Sequence, residues 1–544
     1  MNRVLYNGNI YVERDNFAQA LWIEGDTIRA VGSNEAVLAA APAGSERVDL
    51  NGATVVPGFN DSHLHMRSLG MSLRVVQLQN STSMQEILER GRRFVAEQMV
   101  PAGALVMGRG WNHDYFTDER RMPNRHDLDQ VSTVHPVYYI RTCGHAISVN
   151  TLALQMAGIT SGTPQPEGGQ FELGEDGQPN GIFHECASRM FADITPKVTA
   201  ETIADDIATA MAYAASLGIT CVQSNDYNEE NRHEMDAALA LLRERGGLLT
   251  RYYAQNAFTN PGTLAALFEE GYATGRGDDL VRMGPLKLFV DGSLGARTAL
   301  LRGRYADNDK AQGIQTLSDE VFDELVRIAD EAGVSVVTHA IGDGAIDKVL
   351  CSYEKVIKGG DNKNRHGVVH VQITDKPMLQ RFVDSGVLAL IQPIFLHYDM
   401  HIVGDRVGPE LAATSYAFGS MVRMGIHASY GTDCPVEDLN PYENIYTAVA
   451  RRDLKCRPEG GYFPAEAVDV QTAIDCYTAE SAYACFAEDR MGRLQPGYLA
   501  DLVVLDANIF TVPHEDIRNI RPLATYVGGR PVYQADRARV PANV

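Results

Sequence analysis

His63 and His65 stand two residues apart in V-V-P-G-F-N-D-S-H-L-H-M, positions 55–66. In an extended strand residues i and i+2 share a face, so both imidazoles can converge on one ion from a single strand end. Neutral imidazole is the commonest transition-metal ligand. An isolated H-x-H is ordinarily two surface histidines, so partners elsewhere must carry the metal reading. The candidates are Lys287 in K-L-F-V-D-G-S-L-G, His339 in H-A-I-G-D, His370 in H-V-Q and Asp433 in G-T-D-C-P-V. Each lies at or near the end of an apolar run. For His339 or His370 singly, a core histidine bonded to a backbone carbonyl is the ordinary explanation. Four histidines, a lysine and an aspartate at matching positions are hard to attribute to packing.

The elements that must position these groups alternate helix and strand. Ile203, Ile207, Met211, Ala214 and Leu217 recur at helical spacing, Gly218 stops the helix, and Ile219-Thr220-Cys221-Val222 reads as a buried strand. Another helix is predicted from Ser318, with Asp319 and Glu320 in its first turn and Gly333 at its end. Strands are predicted at 55–59, 219–223, 250–254, 286–290, 334–338, 368–371, 388–392 and 428–431. Eight parallel strands close a (β/α)8 barrel, whose chemistry sits at the carboxyl ends of its strands. A doubly wound sheet is the alternative, though it would not bring the first and last strand ends together so naturally.

Outside that core, residues 1–56 alternate short apolar runs with Gly-containing turns, and the texture returns in 490–544. Both ends are predicted to build one small β-sandwich. The barrel then takes 57–66 and 211–489, leaving 67–210 as an insertion after the first strand, placed to cap the substrate pocket. Its Arg109, Trp111 and His145 are candidate substrate contacts or parts of its own core; Arg297 and His397 are further candidate contacts.

Length, at 544 residues, implies two or three domains, and 45% hydrophobic residues supply a large core. No run approaches the eighteen apolar residues of a membrane span, and the N-terminus lacks a secretory peptide's apolar region. The 8 cysteines are scattered without a C-x-x-C, and a reduced, cytoplasmic setting is expected. A formal net charge of -22 disfavours nucleic acid and anionic membranes as partners but says nothing sharp about the substrate, which is expected to be a small molecule. A homodimer is an open expectation. Serine-hydrolase, Walker and dinucleotide motifs are missing.

Taken together, P-G-F-N-D-S-H-L-H (57–65), G-H-A (144–146), K-L-F-V-D-G-S-L-G (287–295), H-A-I-G-D (339–343), H-V-Q (370–372), G-T-D-C-P-V (431–436) and P-G-Y-L-A-D-L-V-V-L-D (496–506) resemble the amidohydrolase superfamily. The likeness is to its YtcJ-like branch, amidohydrolase family 3, which includes N-substituted formamide deformylases. It implies a distorted (β/α)8 TIM barrel beside a β-sandwich made from both termini. It also implies Zn²⁺ or another divalent ion on His63, His65 and Asp433, and a second on His339 and His370, with Lys287 bridging the two as an N-carboxylated lysine. In the one-ion alternative Lys287 stays an ammonium paired with an acid such as Asp291.

The activity so implied is hydrolysis of an amide or formamide-type C–N bond by metal-activated hydroxide, with Asp433 as general acid/base. Ester or carbamate hydrolysis would use the same hydroxide. Heterocycle deamination is weaker, because relatives of that kind carry H-x-x-E where His339 is followed by Ala340-Ile341-Gly342-Asp343. Asp343 could orient His339 or, more simply, cap the next helix. A non-catalytic, metal-stabilised binding or regulatory protein is the reading of another class, and the intact ligand set disfavours it. Cys434 is given no chemistry.

Overall fold

A computed structural model describes residues 2–143, 145–195 and 197–535. Gly144 of the G-H-A motif and residues 536–544 of the expected terminal domain lie outside these. The chain forms two compact units, one of Met1–Met66 with Ala210–Val544, the other of Arg67–Thr209.

In the first unit eight parallel strands form one sheet: β1 (Phe59–Leu64), β2 (Ile219–Asn228), β3 (Arg251–Ala257), β4 (Val281–Phe289), β5 (Val336–Ala340), β6 (Gly367–His370), β7 (Leu388–Ile391) and β8 (Ala428–Tyr430). Neighbours in sequence are neighbours in the sheet. The outer strands β1 and β8 meet beyond their ends, where Asp433 N–H donates to the His63 carbonyl at 2.8 Å and His65 N–H to that of Cys434 at 2.8 Å. The result is a distorted (β/α)8 barrel. Its strands are mostly buried on both faces, as parallel strands covered by helices are, although β1 carries the polar run Asn60-Asp61-Ser62-His63. The helix Asp319–Glu331 shows why the chain folds so locally. Ser318 caps it by accepting from the Val321 N–H, and Phe322, Leu325, Val326 and Ala329 are buried along one side.

The predicted strand at 55–59 is two strands. Thr54–Pro57 pairs with Leu502–Leu505 and Asn9–Glu13 in a sheet drawn from both ends of the chain. β1 begins only at Phe59. The switch falls at Gly58, whose N–H donates to Asp501 O and whose missing side chain admits Thr220, since a Cβ there would lie 2.2 Å from Thr220 Cγ2. A second terminal sheet runs Thr27–Gly32, Ala20–Glu24, Asn2–Tyr6, Glu46–Asp49. Leu5, Ile10, Leu21, Ile23, Val55, Leu502 and Val504 form one buried core shared by the two sheets. Arg251 at the start of β3 forks onto Asp501 (2.6 and 2.9 Å), a buried ion pair that ties the barrel to these sheets.

The second unit is built on a six-stranded sheet in the order Gly169–Leu173, Pro179–Glu185, Ala146–Val149, Val137–Arg141, Val106–Trp111, Val76–Gln77. Its core gathers Leu78, Ile87, Leu88, Trp111, Phe116 and Tyr139. Among the described residues no helix is long and apolar enough to cross a membrane.

Candidate metal centre

His63 is the fifth residue of β1 and His65 follows the strand, so the two side chains leave the strand end on one face. Asp433 lies three residues past β8 in the left-handed region, φ 56°. That conformation is costly for a non-glycine residue and is concentrated at functional sites. It turns the carboxylate back on β1, where Asp433 Oδ1 stands 3.4 Å from His63 Nε2 and 3.3 Å from His65 Nε2. One donor atom from each of the three lies within 4.8 Å of the others.

His370 and His339 continue the cluster. Ring centroids are 5.4 Å apart for His63 and His65, 5.8 Å for His63 and His370, and 4.5 Å for His370 and His339. His370 ends β6 with φ 83°, followed by Val371 at φ 49°, and the Phe395 ring stacks on its imidazole. His339 lies inside β5, as its next-to-last residue, and not after the strand as expected.

Each imidazole has one nitrogen committed to the protein. His63 Nδ1 is 2.7 Å from Gln255 Oε1, and the orientation of that amide is set by its own N–H donating to Ser62 O. His65 Nδ1 donates to Asn225 O at 3.0 Å. His370 Nδ1 is 2.7 Å from Gln392 Oε1, whose amide N–H is held by Leu390 O. His339 Nε2 donates to Gly292 O at 3.1 Å, with Asp291 Oδ1 at 3.3 Å. Three rings therefore present Nε2 and His339 presents Nδ1, each with a free lone pair.

Burial, helped by the charge of Lys287, holds His63 well below the usual imidazole range; burial and then His339 do the same to His370. Both shifts favour the neutral imidazole, the form that has a lone pair to offer. Burial also pulls on His65, but the hydrogen bond and charge of Asp433 outweigh it and leave that ring above its ordinary value. Lys287 is fully buried on β4, and burial brings its ammonium down to about 7 against the pull of Asp433. Its Nζ sits 3.6 Å above the Phe289 ring.

Asp291 is not its partner: among the described residues no carboxylate pairs with Lys287. Asp291 accepts from the N–H groups of Leu300, Ile341 and Gly342 instead, fixing the loops after β4 and β5. Asp343 opens the next helix, and its carboxylate also takes the backbone N–H of Gly344 there. The helix Asp343–Val356 has Gly342 as its cap, and Asp343 Oδ1 accepts from Arg302 N–H. The acid beside His339 is Asp291.

The proposed contacts separate. Arg297 is ion-paired with Asp307, and His397 with Glu437 at 3.2 Å, whose hydrogen bond and charge raise His397 against the effect of burial. In the second unit Trp111 is buried in that unit's core, Arg109 is exposed on Val106–Trp111, and His145 pairs with Glu185 at 2.9 Å. Packing thus accounts for Trp111. Gln255 and Gln392 were missed. The only signal in the sequence is an amide residue within or just after a predicted strand, which hundreds of ordinary strands share.

A family model described as the amidohydrolase family matches residues 46–533. YtcJ of Bacillus subtilis, whose name marks it as a candidate amidohydrolase, is 30% identical over 98% of this chain and 100% of its own. An N-substituted formamide deformylase of Arthrobacter pascens is 27% identical over 97% of each chain. Among solved structures, a metal-dependent hydrolase of uncharacterised role from Pyrococcus furiosus superposes with a TM-score of 0.74 at 29% identity, covering 94% of this chain and 100% of that one. With a match across nearly its whole length and a barrel that gathers the histidines and aspartate of its motifs, the chain belongs to the amidohydrolase family and is a hydrolase.

Proposed function

We propose that this enzyme hydrolyses an amide or formamide-type C–N bond with a divalent ion, Zn²⁺ first among the candidates, held by His63, His65 and Asp433. The observation that carries the reading is the convergence of two Nε2 atoms on Asp433 Oδ1 at 3.4 and 3.3 Å. The donor set fits such an ion: two imidazoles and a carboxylate are the ligands of catalytic zinc sites. A divalent ion bound there lowers the pKa of a coordinated water and polarises the scissile carbonyl.

Every other part of the proposal belongs to the chain. Asp433 accepts the proton of the attacking water on its carboxylate and returns it to the leaving amine, a role worth typically about 10²- to 10⁴-fold. Gln255, Asn225 and Gln392 keep the imidazole lone pairs aimed inward. His339 Nδ1 and His370 Nε2 would hold a second ion. Lys287, whose ammonium burial brings down to about 7, would have neutral amine to take up CO₂ with release of a proton, and as a carbamate would supply the further anionic ligand such a pair needs. His397 and Arg297 remain the substrate contacts proposed for the barrel unit, and the insertion at 67–210 the proposed capping region. The deformylase relative and Gly342, three residues after His339 where H-x-x-E has its acid, support amide over heterocycle chemistry.

The test is elemental analysis of the purified protein paired with hydrolysis of N-formyl, N-acyl, lactam and ester compounds before and after chelation. Cleavage of N-formyl or N-acyl amines that disappears with the metal and returns with Zn²⁺ is expected. Full activity in a preparation free of divalent metal overturns the reading.

A further inference from the structure

Two segments carry the three converging donors, and they are 367 or more positions apart in sequence: 61–65 after the start of β1 and 432–434 after β8. Backbone pairing alone links them through two hydrogen bonds. One side chain links them as well. Asp61 is completely buried, and its Oδ1 accepts from the N–H of His63 at 3.2 Å and from the N–H of Thr432 at 3.2 Å. Its Oδ2 accepts from Thr432 Oγ1 at 2.8 Å and from the Tyr477 hydroxyl at 3.1 Å. Thr432 Oγ1 in turn accepts from Cys434 N–H at 3.3 Å, so the residues on both sides of Asp433 are secured from Asp61 outward.

We propose that Asp61 is a positioning residue, binding the backbone of both strand ends at once so that His63 and Asp433 stand in the relation a divalent ion requires. A buried carboxylate is expensive unless its lone pairs are filled, and here three of the four filling groups belong to the ligand-bearing segments, the fourth being the Tyr477 hydroxyl. A purely stabilising acid has no reason to choose the donors on the ligand itself and on the residue before a ligand. Asp433, in a left-handed conformation, has no regular strand pairing of its own to keep it in place. Two substitutions at Asp61 differ in what they leave of the clamp. In Asp61→Asn the amide oxygen still accepts from both N–H groups, and the amide N–H₂ can donate to the Thr432 and Tyr477 hydroxyls once these turn. In Asp61→Ala the clamp is gone.

This inference rests on the metal reading above, and the experiment distinguishes them. Metal-free protein is titrated with Co²⁺, following the visible d–d absorption, and melting temperatures are recorded in parallel without metal. Absence of a stoichiometric Co²⁺ spectrum in the unsubstituted protein defeats the metal reading itself. Given that spectrum, Asp61→Ala is expected to weaken Co²⁺ about 10- to 100-fold, the usual effect of losing a group that orients ligands, and to alter the band positions. Asp61→Asn is expected to stay within about threefold of the unsubstituted protein with unchanged bands. Asp61→Ala with unaltered affinity and bands overturns the inference, as does Asp61→Asn impaired to the same degree as alanine. If Asp61→Ala does not fold, Thr432→Val carries the test by breaking the link to Cys434 N–H: a shifted Co²⁺ spectrum supports the clamp, an unshifted one overturns it.

Discussion

Gln255 Oε1 and His63 Nδ1 lie 2.7 Å apart, and this contact decides which nitrogen of His63 faces Asp433. With Nδ1 protonated, Nε2 has a lone pair to offer; with the tautomer reversed, the donor set loses a ligand. Gln392 does the same for His370 across the cluster.

Gln255→Leu is therefore expected to lower metal affinity about 10- to 100-fold with the fold intact. Gln392→Leu should affect a second equivalent of metal and spare the first. Zn²⁺ titration against a competing chelator reads both. Two variants with unaltered affinities would show that the rings orient themselves.

Asp433→Asn keeps an oxygen ligand but loses the proton acceptor. Metal content should remain largely intact while kcat on the best N-acyl or N-formyl substrate falls by about 10²- to 10⁴-fold. A normal kcat at full occupancy would remove Asp433 from the proton transfers.

Asp399 supplies a pH-dependent contribution to stability away from the ligands. Burial lifts its carboxyl from 3.8 to about 6, partly opposed by the Tyr416 hydroxyl at 2.6 Å, with Glu437 adding to the rise and His397 subtracting. A folded-state pKa above the unfolded one means that the folded form binds the proton better. The ionised form thus weakens folding fully above about pH 6, and the penalty vanishes as pH falls below the unfolded value near 4. Asp399→Asn, which still accepts from Tyr416, should gain stability relative to the parent as pH rises from 4 to 6, by on the order of 1–3 kcal/mol. Denaturant unfolding at pH 4.5 and 7.5 checks the sign; an equal difference at both pH values would rule it out.

Arg251 and Asp501 are each about nineteen-twentieths buried and meet in a two-pronged pair. Removing one partner strands a buried charge, so Arg251→Met should cost about 3–5 kcal/mol. Metal stoichiometry at low temperature should be unaffected, because the pair is at the opposite end of β3 from Gln255. A loss under 1 kcal/mol would mean that water reaches Asp501.

The barrel was legible because helical periodicity and short apolar runs alternate, and the ligands because their residue types recur at the ends of those runs. Boundaries were less so. Thr54–Pro57 and Phe59–Leu64 are both wholly buried, and a continuous apolar stretch has no period to show where one sheet hands the chain to another. The break at Gly58 depends on Thr220, which is distant in sequence. Likewise P-G-Y-L-A-D was visible as a motif, but Asp501 acquires its meaning from Arg251. Gln255, Gln392 and Asp291 act through partners that only the folded barrel supplies. Asp343 shows the converse: an acid at a helix start reads as a cap, yet Gly342 holds that place and the carboxylate reaches Arg302 as well as Gly344.

The seam between β1 and β8 has a consequence for how the enzyme comes into being. A ribosome releases His63 early and Asp433 late, and domains at the leading end ordinarily fold first. Until residues 432–434 emerge, the growing polypeptide has imidazoles but not the Asp433 carboxylate; the strand Thr54–Pro57, with Asn9–Glu13 already available on one edge, waits longer still for Leu502–Leu505 on the other. Loading of the proposed ion would in this way be deferred to a nearly finished product, and truncated translation fragments would lack a complete set of donors.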